Sequence, residues 1–359
     1  MMNIDQLDTP SIWVDLEVME RNLARMAEYT LSHGLALRPH IKTHKTPELA
    51  LRQLQSGAVG ITSAKVTEAE VMAAAGLDDI LLAYPLWGEQ KWRRLKVLAS
   101  RASVTVATDS EEQAGAMARA LGEDSKKISL LVEVDLGFSR TGLALDESLA
   151  GKVARIAEAG IPVRGMMFFP GQIGKTDEQI MSELNKKLAI ALSAFRKAGV
   201  PLDVVSGGST PTAFYSHFLD GLTEIRPGTY IFNDCNTVAR GPFTWNDCAL
   251  KVRCRVVSIS VPGGAIIDGG SKTFSDAQGI AQKGFGRLVQ CPEVLCEKMN
   301  EEHGYLKPGD APITLRVGDL VDVIPNHVCT TVNMHHVLYG VRQGVVEEVW
   351  SIAAHGKIH

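Results

Sequence analysis

The chain has 359 residues, of which 45% are hydrophobic and 22% charged, a balance that excludes a disordered or collagenous protein. Its 37 basic residues against 41 acidic ones give a net charge of −4, which leaves no polycationic surface for a nucleic-acid backbone. No apolar run approaches the roughly 18 residues of a membrane span. The opening MMNIDQLDTP lacks the basic-then-apolar layout of a signal peptide, so a cytoplasmic location is expected. Six cysteines, at 235, 248, 254, 291, 296 and 329, contain no C-x-x-C pair and read as reduced thiols.

Short β-branched runs alternate with amphipathic stretches over the first two-thirds. Strands are expected at Ser11–Asp15, Leu35–Lys42, Val59–Thr62, Ile80–Ala83, Val104–Thr108, Ile128–Asp135, Val163–Phe169 and Val204–Ser206. Between them lie helical patterns such as LEVMERNLARMAEYTLSHG and TDEQIMSELNKKLAIALSAFRKAG, the latter ending where Gly199 would cap it. Eight strand–helix units predict a TIM-type (β/α)8 barrel over residues 1–245. A doubly wound open sheet is the alternative, but no G-x-G-x-x-G opens the first unit. From about Asn246 the period falls to two, with Gly and Pro between the runs, which predicts a mostly β domain over 246–359.

The densest chemical cluster is LRPHIKTHKT, with Arg38, His40, Lys42, His44 and Lys45 at the end of an early strand. If that strand continues, His40, Lys42 and His44 share one face, at the barrel end that carries chemistry. A lysine among cations and apolar walls has its ammonium form disfavoured, which suits Schiff-base chemistry. A solvated basic strand end fits the same residues. His40 and His44 as metal ligands would lack a nearby carboxylate. Near the C-terminus, IPNHVCTTVNMHH holds an H-x-C pair, His327 and Cys329, whose imidazole and thiolate suit zinc. Two donors are too few for a structural site and suit an open, catalytic one. A buried Cys beside an ordinary His is the plainer reading.

SIWVDLEVMERNL followed by LRPHIKTHKTPELA resembles the opening of the fold-type III pyridoxal-phosphate enzymes. The branch it resembles is that of the D-threonine aldolases and D-serine dehydratase-like enzymes, within the alanine racemase N-terminal barrel superfamily. The resemblance implies that Lys42, the first lysine of P-H-x-K-T-H, forms the internal aldimine with pyridoxal 5'-phosphate. It also implies that His40 lies against the cofactor and that Lys45 lies at the surface or behind Lys42. VEVDLGFSRTG is similar to the segment whose arginine meets the ring nitrogen, which implies Arg140; a permanently charged guanidinium keeps that nitrogen unprotonated. VVSGGSTPTAF and EIRPGTYIFND resemble the phosphate loops, through Ser206, Gly207, Gly208, Ser209 and Thr210 and through Gly228, Thr229 and Tyr230.

The same resemblance makes His327 and Cys329 ligands of a divalent metal, zinc by donor type with manganese as the alternative. D-threonine aldolases commonly place an Asp two residues after the His, so Cys329 favours dehydration. At GMMFFPGQIG several relatives carry a phenol and a histidine, where this chain has Phe168, Phe169, Pro170 and Gln172. Asp268, Lys272, Asp276 and His303 are reminiscent of mouth or interface residues, and β-turns explain them equally. The implied protein is a homodimeric lyase of β-hydroxy-D-amino acids, a dehydratase or an aldolase, with one subunit's β domain covering the other's barrel. An amino-acid racemase, a non-catalytic pyridoxal-phosphate-binding protein and a metal-dependent barrel hydrolase are the rival readings.

Overall fold

A computed structural model describes residues 2–171, 173, 177–280, 283–309 and 312–359. The chain divides into two compact units. One comprises Met1–Arg25, Thr43–Thr46 and Thr229–Gly356; the other comprises Met26–Lys42, Pro47–Gly228 and Lys357–His359. The first strand and helix are β1 (Ser11–Asp15) and α1 (Leu16–Ser32).

The second unit is a parallel barrel of β2 (Ala36–Leu37), β3 (Ile61–Ser63), β4 (Asp79–Leu82), β5 (Ser103–Thr108), β6 (Ile128–Glu133), β7 (Val163–Met167), β8 (Val204–Gly207) and β9 (Glu224–Ile225). Each strand pairs in parallel with its neighbour, in the order β2-β9-β8-β7-β6-β5-β4-β3. A parallel bridge between His40 and Thr62 and the Val59 N–H bond to the Leu37 carbonyl, at 2.9 Å, close the ring. Leu81, Ala107, Leu131 and Met167 form one buried layer of its core. Burial of strands on both faces explains why they read as apolar runs without alternation. The helices that follow strands in sequence include α2 (Pro47–Gln55), α3 (Val66–Ala74), α4 (Glu89–Leu98), α5 (Glu111–Leu121), α6 (Leu149–Ala157) and α7 (Glu178–Lys197).

Gly207, at the end of β8, is a packing requirement. A Cβ there would overlap the fully buried Phe168 ring. Gly207→Ala is therefore expected to cost about 1–3 kcal/mol through overpacking. A melting temperature equal to that of the unaltered protein would contradict it.

The other unit holds β1 and, after the short helix α8 (Cys235–Arg240), continues with β10 (Leu250–Ser258), β11 (Ala265–Ile267), α9 (Ser271–Phe274), β12 (Arg287–Leu288), β13 (Leu295–Met299), β14 (Gly304–Lys307) and β15 (Leu320–Ile324). It ends with α10 (Val328–Val332), β16 (Val337–Arg342) and β17 (Val345–Ser351). β10, β11, β14, β13, β12 and β15 pair in a closed antiparallel ring, and β1, β16 and β17 extend it from β10.

Two expectations about strands are corrected. Ser11–Asp15 is not a barrel strand: it pairs with β10 antiparallel and with β16 in parallel. The Trp13 indole N–H donates to Asp322 at 2.8 Å, and Asp322 also holds Arg253 at 2.9 Å, so a buried polar contact commits the strand to that sheet. The barrel's eighth strand is Glu224–Ile225, too short to show a period. Nor is Leu35–Lys42 one strand, because β2 ends at Leu37 and Ile41–Thr43 is a 3-10 turn. Pro39 brings no N–H to a ladder there. No helix among the described residues is long and apolar enough to cross a membrane.

Candidate active site

The turn Ile41–Thr43 follows the C-terminal end of β2, where a parallel barrel presents its chemistry. Lys42 is exposed, and its amine makes no hydrogen bond or ion pair among the described residues. The three residues expected on one face separate: Lys42 is exposed, His40 is half-buried, and His44 is fully buried, its Nδ1 accepting the Thr46 N–H at 3.1 Å. The backbone N–H of Lys42 approaches His40 Nδ1 at 3.5 Å. Lys45 is not a surface residue: it is 6% exposed, in a left-handed conformation at φ 53°, and its carbonyl accepts the Ala354 N–H.

At the end of β8, Gly208 takes φ +81°, a backbone state that glycine adopts without strain. The Ser209 N–H donates to Thr212 Oγ1 at 3.0 Å, and the Gly228 N–H donates to Thr210 Oγ1 at 3.2 Å, which ties the two expected phosphate loops together. Ser206 stands apart from them. Its hydroxyl donates to Glu224 and accepts from Arg226, so its side chain is committed to the barrel interior. Thr229 and Tyr230 form a 3-10 turn in which Tyr230 is buried.

Arg140, expected at the cofactor ring, lies exposed on the loop after β6. Its guanidinium sits 4.6 Å from the Phe169 ring centroid and 5.2 Å from that of Phe138. Phe168 is buried, Pro170 is half-buried, and Gln172 lies outside the described residues. The arginine that reaches the barrel interior is Arg226, which follows β9 and is 7% exposed. Its Nη1 donates to Ser206 Oγ at 2.6 Å and its Nη2 to the Phe168 carbonyl at 2.8 Å, while its Nε–H has no partner among the described residues. Burial brings its pKa down to about 10, against the opposing pull of Glu224 and Glu133. Glu133, at the end of β6, is itself pushed up by burial. Sequence reading missed Arg226; an Arg-Pro step directly after a strand was the available signal.

In the β unit, His327 caps α10 from an extended conformation, so the H-x-C pair lies on a helix start and not along a strand. β15 ends before Pro325, and in the helix that follows the Thr330 and Thr331 hydroxyls both donate to the His327 carbonyl. His327 Nδ1 lies 3.1 Å from Oδ2 of the fully buried Asp234, which also accepts the Val328 N–H at 3.1 Å. Asp234 caps α8 through Thr237. A carboxylate on Nδ1 fixes the tautomer that offers Nε2 to a metal. The His327 side chain also bonds Cys329, and the Cys329 thiolate, followed by Asp234, pushes its pKa up to about 11 against burial. Cys329 Sγ is 3.3 Å from Oγ1 of Thr43, the residue that follows Lys42 in the chain. No group of three or more metal-ligating side chains occurs among the described residues, so protein donors at this pair leave coordination positions open. Asp234 was also missed from the sequence, where NDCNT shows only a helix cap.

Two of the residues reminiscent of the mouth, Asp268 and Lys272, have structural partners. Asp268 accepts the Thr9 hydroxyl and the Arg255 N–H, and Lys272 pairs with Glu302 in the open.

Three observations fit a pyridoxal phosphate at the barrel end: the unpartnered Lys42 amine, the unpartnered Arg226 Nε–H, and a glycine pair at the end of β8 that brings backbone close. The alanine racemase N-terminal domain model matches residues 14–235, and the serine dehydratase domain model matches 249–341. The chain is 33% identical to the D-threonine aldolase of Arthrobacter sp., over 98% of this chain and 93% of that protein. It is also 33% identical to the D-threo-3-hydroxyaspartate dehydratase of Delftia sp. strain HT23, over 90% of this chain and 92% of that protein. The crystal structure of D-threonine aldolase from Filomicrobium marinum superposes with a TM-score of 0.91 at 30% identity, covering 99% of this chain and 97% of that one. A cysteine-to-alanine mutant of D-threo-3-hydroxyaspartate dehydratase, in its metal-free form, superposes with a TM-score of 0.90 at 29% identity, covering 98% of this chain and 99% of that one. This chain belongs to the alanine racemase N-terminal domain family, in the branch whose barrel is followed by a serine dehydratase domain.

Proposed function

We propose that this protein is a pyridoxal-phosphate- and metal-dependent lyase of β-hydroxy-D-amino acids. The observation that carries the reading is the contact between Thr43, which follows Lys42, and Cys329, whose partner His327 is oriented by Asp234. Thr43 and the donor pair lie in one compact unit, and Thr43 follows Lys42 directly in the chain. When bound, pyridoxal phosphate supplies an aldehyde for the substrate amine and an electron-poor ring that stabilises charge at Cα. Lys42 would hold the cofactor and then take or return the proton at Cα. The loops at Gly207–Thr210 and Gly228–Tyr230 would hold its phosphate, with Arg226 facing the ring nitrogen. Arg140, on its aromatic stack, stands free to meet an anionic group at the mouth.

His327 and Cys329 would hold a divalent metal, zinc by donor type, which supplies Lewis acidity for the substrate's β-oxygen. A racemase leaves the Asp234–His327–Cys329 arrangement without a task. The homodimer stays part of this proposal. Its role would be to let one subunit's β domain cover the other's barrel.

The test is product identity with D-serine, D-threo-3-hydroxyaspartate and D-threonine. Ammonia with the matching 2-oxo acid (pyruvate, oxaloacetate or 2-oxobutanoate) means dehydration, which Cys329 favours; glycine with the matching aldehyde (formaldehyde, glyoxylate or acetaldehyde) means aldol cleavage. Interconversion of enantiomers with no product of either kind would overturn the lyase reading.

A further inference from the structure

A continuous run of polar side chains crosses the interior of the barrel unit and ends on Arg226. Arg38 Nη1 donates to Asp79 Oδ1 at 2.7 Å, and Arg38 Nε donates to Glu224 Oε2 at 2.7 Å. The Ser206 hydroxyl donates to Glu224 Oε1 at 2.5 Å and accepts from Arg226 Nη1 at 2.6 Å. Ser206 is 0% exposed and Glu224 is 3% exposed, so water does not cheaply substitute for the bonds these two make.

The directions of these bonds are not free. A hydroxyl carries one hydrogen. Because Ser206 receives the guanidinium, it must give its own hydrogen to Glu224. Glu224 then accepts at both oxygens, one from Arg38 and one from Ser206. The hydrogens of Arg38 Nε and of the Ser206 hydroxyl both point at Glu224, while Arg38 turns its Nη1 to Asp79. Arg226 is thereby held in plane at two corners, by Ser206 and by the Phe168 carbonyl at 2.8 Å, with Nε–H turned elsewhere. Glu224 is also the largest opposing influence on the burial that lowers the Arg226 pKa, ahead of Glu133, while Arg38 and Arg140 act the other way.

We propose that Glu224, acting through Ser206, is the positioning residue that fixes the plane and charge of the Arg226 guanidinium against the cofactor ring, with Arg38 and Asp79 holding Glu224 in register. This rests on the reading that Arg226 faces the ring nitrogen. It assigns Ser206 to the ring end of the cofactor and not to its phosphate. Glu224→Gln cannot preserve the pattern, because either orientation of the amide sets an NH2 against a donor, the Ser206 hydroxyl or the Arg38 Nε–H.

The experiment uses the full chain stripped of cofactor and titrated with pyridoxal phosphate. Affinity is read by protein fluorescence, and the visible band is followed across pH. Glu224→Gln and Ser206→Ala are both expected to weaken binding by roughly tenfold or more and to displace the visible maximum in the same direction as Arg226→Lys. Circular dichroism and melting confirm that each variant is folded, and should Glu224→Gln fail to fold, Ser206→Ala decides. If Arg226→Lys leaves affinity and spectrum unchanged, the ring contact itself is refuted. If Arg226→Lys moves both while folded Glu224→Gln and Ser206→Ala match the unaltered protein, the positioning role is overturned.

Discussion

Replacing Lys42 by alanine is expected to abolish the visible, borohydride-reducible band and to lower turnover by ~10³-fold or more, since the residue proposed to bind the cofactor is also the one proposed to move the proton. Of the two lysines in HIKTHK, only Lys42 is exposed with an unpartnered amine, while Lys45 is 6% exposed and held through its backbone by Ala354. The matching control is Lys45→Met, which retains a long apolar stem in a buried position. That variant should keep the band. The alternative outcome is informative: a Lys42→Ala protein that still forms a reducible band would move the attachment to another lysine and remove the barrel-end site from the proposal.

The barrel was legible because its strands are buried on both faces and its helices are amphipathic. Seven of the eight expected strands overlap observed barrel strands in position, from Ala36–Leu37 to Val204–Gly207. What failed is what pattern alone does not encode. Ser11–Asp15 is as apolar as a barrel strand, and its sheet is chosen by one side chain, Trp13, reaching Asp322 across 309 residues of sequence. Glu224–Ile225 is too short for any period, yet it carries Glu224 and leads into Arg226.

Site residues sort the same way. Candidates with a local signature, such as Lys42 and the His327–Cys329 pair, stand out by their spacing and by family resemblance. Those whose role comes from a distant partner do not. Asp234 lies 93 positions from the histidine it orients, and Arg226 is 58 positions from the Phe168 carbonyl that pins it. Arg140, expected at the ring from a local match, has its guanidinium against Phe138 and Phe169 and within electrostatic reach of Glu133 and Arg226.

The second large effect concerns the metal. Chelation, or Cys329→Ala, is expected to lower turnover of D-serine, D-threo-3-hydroxyaspartate and D-threonine by at least ~10²-fold while the visible band of bound cofactor persists. A β-hydroxyl is a poor leaving group, and the corresponding C–C cleavage needs alkoxide character at the same oxygen; both demands fall on a Lewis acid. Cofactor retention follows because the candidate metal donors, His327 and Cys329, are distinct from every residue proposed to hold the phosphate or the ring. Asp234→Asn separates orientation from ligation. Its amide oxygen can still cap Thr237, but the charge that faces His327 Nδ1 is gone, so metal affinity should fall by roughly 10–100-fold with the donors intact. Added zinc should restore the chelated enzyme fully, restore Asp234→Asn only at higher concentration, and leave Cys329→Ala inactive. Undiminished turnover in exhaustively metal-free protein would refute the metal's role and bring the racemase reading back to first place.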